Sequence, residues 1–290
     1  EFKSIEYTYE TDEEYNITKV YVKTQGKGEK IIESLMILAN ETISEHLTRL
    51  DLPTIYRVHE RPTLEKLKNL SDELNKIELN VKRPRHFIPK SLQSFFDTIK
   101  GHELEGYIHD LVLRSMTKAR YDMQNLGHFG LASTFYSHFT APIRRYPDLF
   151  LHRMIKAFLI HPKNLNEQID HFESIGKEVC LHTSRQERIS EDLSREVDKL
   201  KIAEYMSTKI GNIYKGVVSG IIKKGFFIRT LDEGIEGMVI FNDMKGHVRF
   251  DEYKMTIKLN KRTLKIGSPV KVELTYVDVK KRQITFELLK

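Results

Sequence analysis

Residues able to bind and act on an anion crowd into one stretch of this 290-residue chain. Gly127, His128 and Phe129 come first, then Tyr136 to Thr140, then Arg144, Arg145, Tyr146, Pro147 and Asp148. Pro147 suits a first helical turn, where its missing N–H would have no partner anyway. Asp148 is the acid that a helix start favours, and Leu149, Phe150, Met154, Ile155, Phe158 and Leu159 recur at helical spacing, so a helix is predicted over 147–160. Two cations beside the positive end of a helix make electrostatic sense when an anion sits between them and the helix. Free backbone N–H groups and guanidinium forks converging on one point describe a phosphate site. On two arginines alone, a solvated surface pair is the better reading. The rings of Phe129, Phe135, Tyr136, Phe139 and Tyr146 among those cations are what single-stranded nucleic acid needs, bases stacking while cations follow the phosphates.

Several elements must position this stretch. Ile5, Tyr7 and Tyr9, then Ile17 and Val20 to Val22, predict a hairpin within residues 1–24. A helix is expected from Glu29 to Leu50 with Ile32, Leu35, Met36, Ala39, Ile43 and Leu47 on its buried face. Glu33 lies one residue from that face and Asn40 seven residues further on. A lone Glu in such a helix reads first as a solvated surface residue. Pro53 to His59 predicts a short strand, and Leu64, Leu67, Leu70 and Leu74 the buried stripe of a second helix. Val81 to His86 forms a basic connector. Further helices are expected near 89–100 and 103–118, and a long one over about 165–208. From Gly211 the texture changes to short strands at 213–222, 225–229, 236–239, 270–274 and 283–288, which suggests a small closed barrel of the oligonucleotide-binding kind.

Composition narrows the function classes. A single cysteine, Cys180, excludes a disulfide framework and a Cys-based zinc site, and fits a reducing cytoplasm. No apolar run is long enough to span a membrane, and no basic-then-apolar leader opens the chain. The chain starts at Glu1 rather than methionine, which suggests a missing upstream part. The histidines show no metal-site spacing. The net charge of +6 is unevenly placed: residues 209–290 hold 17 Lys/Arg against 9 Asp/Glu, a balance of +8, and residues 1–208 hold 30 against 32, a balance of −2. The basic C-terminal module therefore points to a polyanion, nucleic acid first.

Two resemblances carry this further. The C-terminal module resembles the S1 RNA-binding domain in Gly216-x-Val218, Gly225-x-Phe227-Ile228, Gly234 to Gly237 and the closing hairpin from Val277-Asp278 to Ile284-Thr285. One of that family's two stacking positions holds Lys224 here and the other Phe227, and Ile240 stands where a histidine is frequent. The resemblance thus implies RNA contact weighted toward charge. The stretch from Gly127 to Arg153 is similar to the signature of the ribonuclease II/ribonuclease R (RNB) family, supported by Ile32 to Glu41, Tyr56 to Pro62 and Glu187-Arg188. Motif order and the Arg-Arg-Tyr-Pro-Asp variant look most like the ribonuclease R branch.

The expected fold is therefore α+β: residues 1–208 as the mostly helical C-terminal portion of the RNB catalytic domain, and residues 209–290 as a five-stranded S1 barrel. The resemblance implies a processive 3′→5′ exoribonuclease that hydrolyses single-stranded RNA to nucleoside 5′-monophosphates with two magnesium ions. It makes Arg144 the arginine that stabilises charge on the transferred phosphorus, places Glu33 by the 3′-terminal nucleotide, and gives Phe2 the stacking of terminal bases. His128, Arg145 and Tyr146 support the phosphate and base contacts, with Lys224 and Phe227 contacting RNA from the barrel. One departure matters. The family's aspartate cluster for metal has no counterpart among these residues, and Asp12-Glu13-Glu14 does not fit it. The ligands are expected upstream, so this segment alone is expected to bind RNA without degrading it. A cytoplasmic monomer without membrane contact is the expected setting. The alternative is a non-catalytic RNA-binding or adaptor protein with a decayed nuclease domain.

Overall fold

The computed structural model describes residues 7–22, 25–76, 87–102, 104–244, 248–260 and 262–289. Phe2 and the basic connector Val81 to His86 lie outside the described residues. In chain order the elements are β1 (Tyr7–Thr11), β2 (Ile17–Val22), α1 (Lys27–Arg49), β3 (Tyr56–Val58), α2 (Leu64–Lys76), α3 (Pro89–Ile99) and α4 (Glu105–Ser115). Then come β4 (Arg120–Asp122), α5 (Tyr146–Ile155) with a π-helical turn over Lys156–Ile160, and α6 (Leu165–Ser207). The remainder is strand: β5 (Ile213–Ile222), β6 (Gly225–Thr230), β7 (Glu236–Ile240), β8 (Val248–Asp251), β9 (Thr256–Leu259), β10 (Arg262–Lys265), β11 (Pro269–Asp278) and β12 (Gln283–Leu288).

Two compact units share these elements. One holds Gln25–Thr63 and Met116–Asp192. Its core packs Leu47, Ile55 and Tyr121 against Phe150, Leu151, Met154 and Phe158 of the α5 region and Phe172 and Cys180 of α6. Phe172 meets Phe150 and Phe158 edge to face at 5.3 and 5.4 Å, the geometry that ring quadrupoles favour. Two expected faces need correction here. Ile32 and Leu35 of α1 are 58% and 56% exposed, and the buried positions of that helix are Asn40, Ser44 and Leu47. In α5, Leu151 is buried while Leu149 is exposed, and the helix expected to reach 160 becomes π-helical after Ile155.

The other unit comprises the described parts of Glu1–Thr24, Leu64–Ser115 and Leu193–Lys290. The β1–β2 hairpin is antiparallel, as the alternation predicted. In α2, Leu70 and Leu74 are buried, but Leu64 is 87% exposed and leaves the expected stripe. The five predicted strands close a barrel in the order β11-β12-β7-β6-β5, with β5 pairing back onto β11 and a parallel step between β12 and β7. Val218, Phe226, Ile228, Val272, Leu274 and Phe286 fill its interior. An unpredicted three-stranded sheet, β10-β9-β8, is inserted between β7 and β11. Polar side chains tie the barrel to helices of the same unit: Tyr205 donates to Glu233 at 2.8 Å, Arg229 pairs with Asp110 at 3.3 Å, and Arg282 pairs with Glu196.

Candidate functional site

The signature stretch is built from backbone held by side chains distant in sequence. Gly127 adopts φ 71°, a left-handed turn that glycine enters without steric cost. His59 and His128 then form a parallel bridge: the His59 amide donates to the Gly127 carbonyl at 3.0 Å, and the Phe129 amide to the His59 carbonyl at 2.8 Å. Nδ1 of His59 accepts from the Gly130 amide at 3.1 Å, and Nδ1 of His128 from the Leu131 amide at 3.2 Å. Burial, with His59 and Arg57 nearby, brings the His128 pKa down to about 4. Burial, with Arg145 and Arg57 next, brings that of His138 down to about 2. Both rings are therefore neutral near pH 7 and act as acceptors and packing groups. Tyr121 bonds Nδ1 of His138 at 2.8 Å, and burial raises the Tyr121 pKa, so its hydroxyl keeps its proton.

The next segment is held at three points. Asn40, on the buried side of α1, donates to the Tyr136 hydroxyl at 3.1 Å and accepts from the Phe139 amide at 2.9 Å. Nε2 of His152 meets the Phe139 carbonyl at 2.9 Å while its ring stacks on Phe139. Asp148, fully buried in the first turn of α5, accepts from the Ala141 amide at 2.8 Å and from Arg145 Nη2 at 2.7 Å. The two arginines thus differ. Arg145 is ion-paired and mostly buried, whereas Arg144 is exposed and makes no ion pair among the described residues.

A cavity of about 590 Å³ opens beside this loop. Glu33, Asn40, Tyr136 and Arg145 give it polar groups, and Ile32 and Leu131 apolar wall. Glu33 is exposed and accepts from the Gln25 amide group at 2.5 Å. An anionic acceptor, a guanidinium, a carboxamide and a phenol around one space can hold a molecule carrying hydroxyls and a phosphate. The structure therefore brings Glu33 and Arg145 together. Arg144 and His128 are not among the residues lining that cavity, His128 lying against Tyr136 at 5.1 Å. Tyr146 faces elsewhere, onto a groove with Glu178, His182 and Gln186 of α6. Asn40 and Asp148 were missed as site builders. The visible signals were the position of Asn40 seven residues after Glu33 on one helix and that of Asp148 beside the arginine pair.

In the barrel-bearing unit, half-buried Phe227 lines a groove of about 590 Å³ with Lys199, Arg229, Met238 and Arg282. All three of these cations are already paired with carboxylates: Lys199 and Arg282 with Glu196, and Arg229 with Asp110 and Glu236. Lys224, in the β5–β6 turn, is exposed and makes no ion pair among the described residues. Among the described residues no three His, Cys, Asp or Glu side chains are grouped so as to hold a metal ion. The described residues thus do not make a metal site. No described helix is long and apolar enough to cross a membrane.

Comparison with known proteins agrees with this construction. Residues 1–161 match the RNB domain, and residues 207–288 the S1 RNA binding domain. Ribonuclease R of Aquifex aeolicus is 37% identical over 284 residues, covering 96% of this chain and 39% of that protein. The apo form of Mycoplasma genitalium RNase R superposes with a TM-score of 0.89 at 28% identity, covering all of this chain and 46% of that one. The same enzyme in complex with ribose methylated single-stranded RNA gives the same TM-score. The chain spans less than half the length of these relatives. On this match over more than half its length, the chain belongs to the RNB domain family and carries an S1 RNA binding domain at its C-terminal end.

Proposed function

We propose that this chain is the C-terminal portion of a 3′→5′ exoribonuclease that hydrolyses single-stranded RNA processively to nucleoside 5′-monophosphates. We assign residues 1–208 to the catalytic domain and 209–290 to the S1 domain. The observation that carries the reading is the contrast at the arginine pair. Arg145 is ion-paired with Asp148 through Nη2, and Arg144, which makes no ion pair among the described residues, extends from a backbone turn fixed at both ends. A donor carried on a backbone that is already fixed needs less reorganisation when the reaction occurs. Phosphoryl transfer spreads charge over the phosphoryl oxygens, and Arg144 is the group we assign to them.

The cavity supports the rest of the assignment. Glu33 would accept from the ribose hydroxyls of the terminal nucleotide, and Arg145 would face its phosphate side. His128 acts at one remove, as a neutral ring under Tyr136. Tyr146, from its own groove, and Phe2 are assigned to base contacts, Lys224 and Phe227 to RNA on the barrel. Magnesium ions are part of the reading, held by portions of the enzyme other than these residues, and this segment by itself would bind RNA and leave it intact. The setting proposed is a cytoplasmic monomer engaging one RNA 3′ end. A decayed nuclease has less in its favour, because Arg144, Glu33 and the framework holding them are all in place.

Arg144→Ala in the full-length enzyme tests this. Loss of a comparable preorganised donor predicts a fall of roughly 100- to 1,000-fold in single-turnover rate. Affinity for a single-stranded oligoribonucleotide should stay nearly constant, since one contact among many is lost. A large loss of affinity with the rate preserved would refute the assignment.

A further inference from the structure

We propose that Asp148 is the positioning residue of Arg144, fixing the backbone turn from which that side chain departs without touching RNA. The proposal rests on the exoribonuclease reading of Arg144 given above. Asp148 is the third residue of α5 and has no exposed surface. A carboxylate at a helix start ordinarily needs only the helix's own amides. This one is turned outward from the helix. Its Oδ1 accepts from the Ala141 amide at 2.8 Å and from Arg145 Nη2 at 2.7 Å. The Ala141 carbonyl in turn accepts from the amides of Arg144 and Arg145 at 3.2 and 3.0 Å.

Ala141 is thus held at both polar atoms: backbone bonds close the turn that carries Arg144, and one buried carboxylate anchors it to α5. The side chain of Arg144 has no ion pair of its own among the described residues, so what the protein fixes is the backbone from which it departs. The anion expected beside the arginine pair is in part the protein's own. Asp148 partly neutralises Arg145, and Arg144 is the member of the pair that makes no ion pair among the described residues. Charge-assisted bonds of this kind are short, as both observed distances are.

The test is a double-mutant cycle in the full-length enzyme, using Asp148→Asn, Arg144→Lys and the pair. Asparagine keeps the shape and weakens both bonds. A misplacement of about 1 Å can cost about 100-fold, so a fall in single-turnover rate of about 10- to 100-fold is expected for Asp148→Asn. Binding of a single-stranded oligoribonucleotide, measured without divalent metal, should shift less than about twofold, since a positioning residue makes no RNA contact. In the Arg144→Lys background the same substitution should change the rate less than about threefold, because both act through one group. Equal fold-effects in the two backgrounds overturn the proposal, as does an unchanged rate or a loss confined to affinity. If Asp148→Asn does not fold by thermal melting, Asp148→Glu, which moves the carboxylate by one methylene, is put through the same cycle and judged by the same outcomes. If Arg144→Lys alone turns over at the wild-type rate, the role of Arg144 fails and this proposal with it. If Arg144→Lys is slow and the Asp148 effect is independent of it, only the present proposal fails.

Discussion

A β-carbon placed on Gly130 would lie 2.8 Å from Nδ1 of His59, inside the contact distance of a real side chain. That ring nitrogen already accepts from the Gly130 amide, so the histidine cannot retreat without losing the bond. Gly130→Ala is therefore expected to destabilise the protein by about 1–3 kcal/mol, the usual cost of overpacking, measured by urea unfolding. The neighbouring histidines give a second residue-scale prediction. His128 and His138 are held neutral by burial, with pKa values near 4 and 2 against an ordinary 6.5. Between those values the unfolded chain binds more protons than the native one, so stability rises with pH in that window. It is complete above pH 6.5 and falls as the solution is acidified. Each histidine can account for up to about 2 kcal/mol between pH 6.5 and 5. His138→Gln should flatten the decline in unfolding free energy between pH 7 and 5; an unaltered slope would mean that other groups set it.

The helices show why a correct periodicity can still assign the wrong face. The apolar spacing of α1 locates the helix to within a few residues. It misassigns Ile32 and Leu35, because the positions that are buried include Asn40 and Ser44. Hydrophobic pattern cannot select a buried amide whose partners, Tyr136 and Phe139, lie about a hundred residues away. Asp148 is a similar case: legible as a helix-start acid, illegible as the clasp of the preceding turn. The barrel strands were legible because β-branched and aromatic residues alternate between glycine turns. The β8–β10 sheet was not, since each strand is four residues long and offers at most two apolar positions, too few for the alternation to stand out. Asn40→Ala leaves the Phe139 amide without its acceptor and the Tyr136 hydroxyl without its donor. A loss of about 1–3 kcal/mol follows for a buried donor left unpaired. Thermal unfolding measures it, and the single-turnover rate should fall as well, because the loop leading to Arg144 is released at one of its three holding points. A variant with lowered stability and an unchanged rate would show that Asn40 serves the fold alone.

At the scale of the whole molecule, charge and stacking are assigned to different residues of the C-terminal module. Residues 209–290 carry a balance of +8 and the remainder −2, so long-range attraction for a polyanion originates in the barrel-bearing segment. Pairing decides how much of it is available. Lys199, Arg229 and Arg282 around the barrel groove are each committed to a carboxylate, while Lys224 is exposed and unpaired among the described residues. Phe227 brings ring surface to the groove and no charge. If both residues contact RNA, their loss must look different in a salt titration. Lys224→Gln removes one phosphate contact, which lowers the slope of log affinity against log salt by about 0.7 for single-stranded RNA. Phe227→Ala removes a stacking platform worth roughly 1–3 kcal/mol and releases no counterions, so affinity falls at every salt concentration while the slope is preserved. Fluorescence anisotropy with a single-stranded oligoribonucleotide from 50 to 300 mM salt separates the two. A changed slope for Phe227→Ala, or an unchanged one for Lys224→Gln, would reassign the contact, because only a charge that displaces counterions moves that slope.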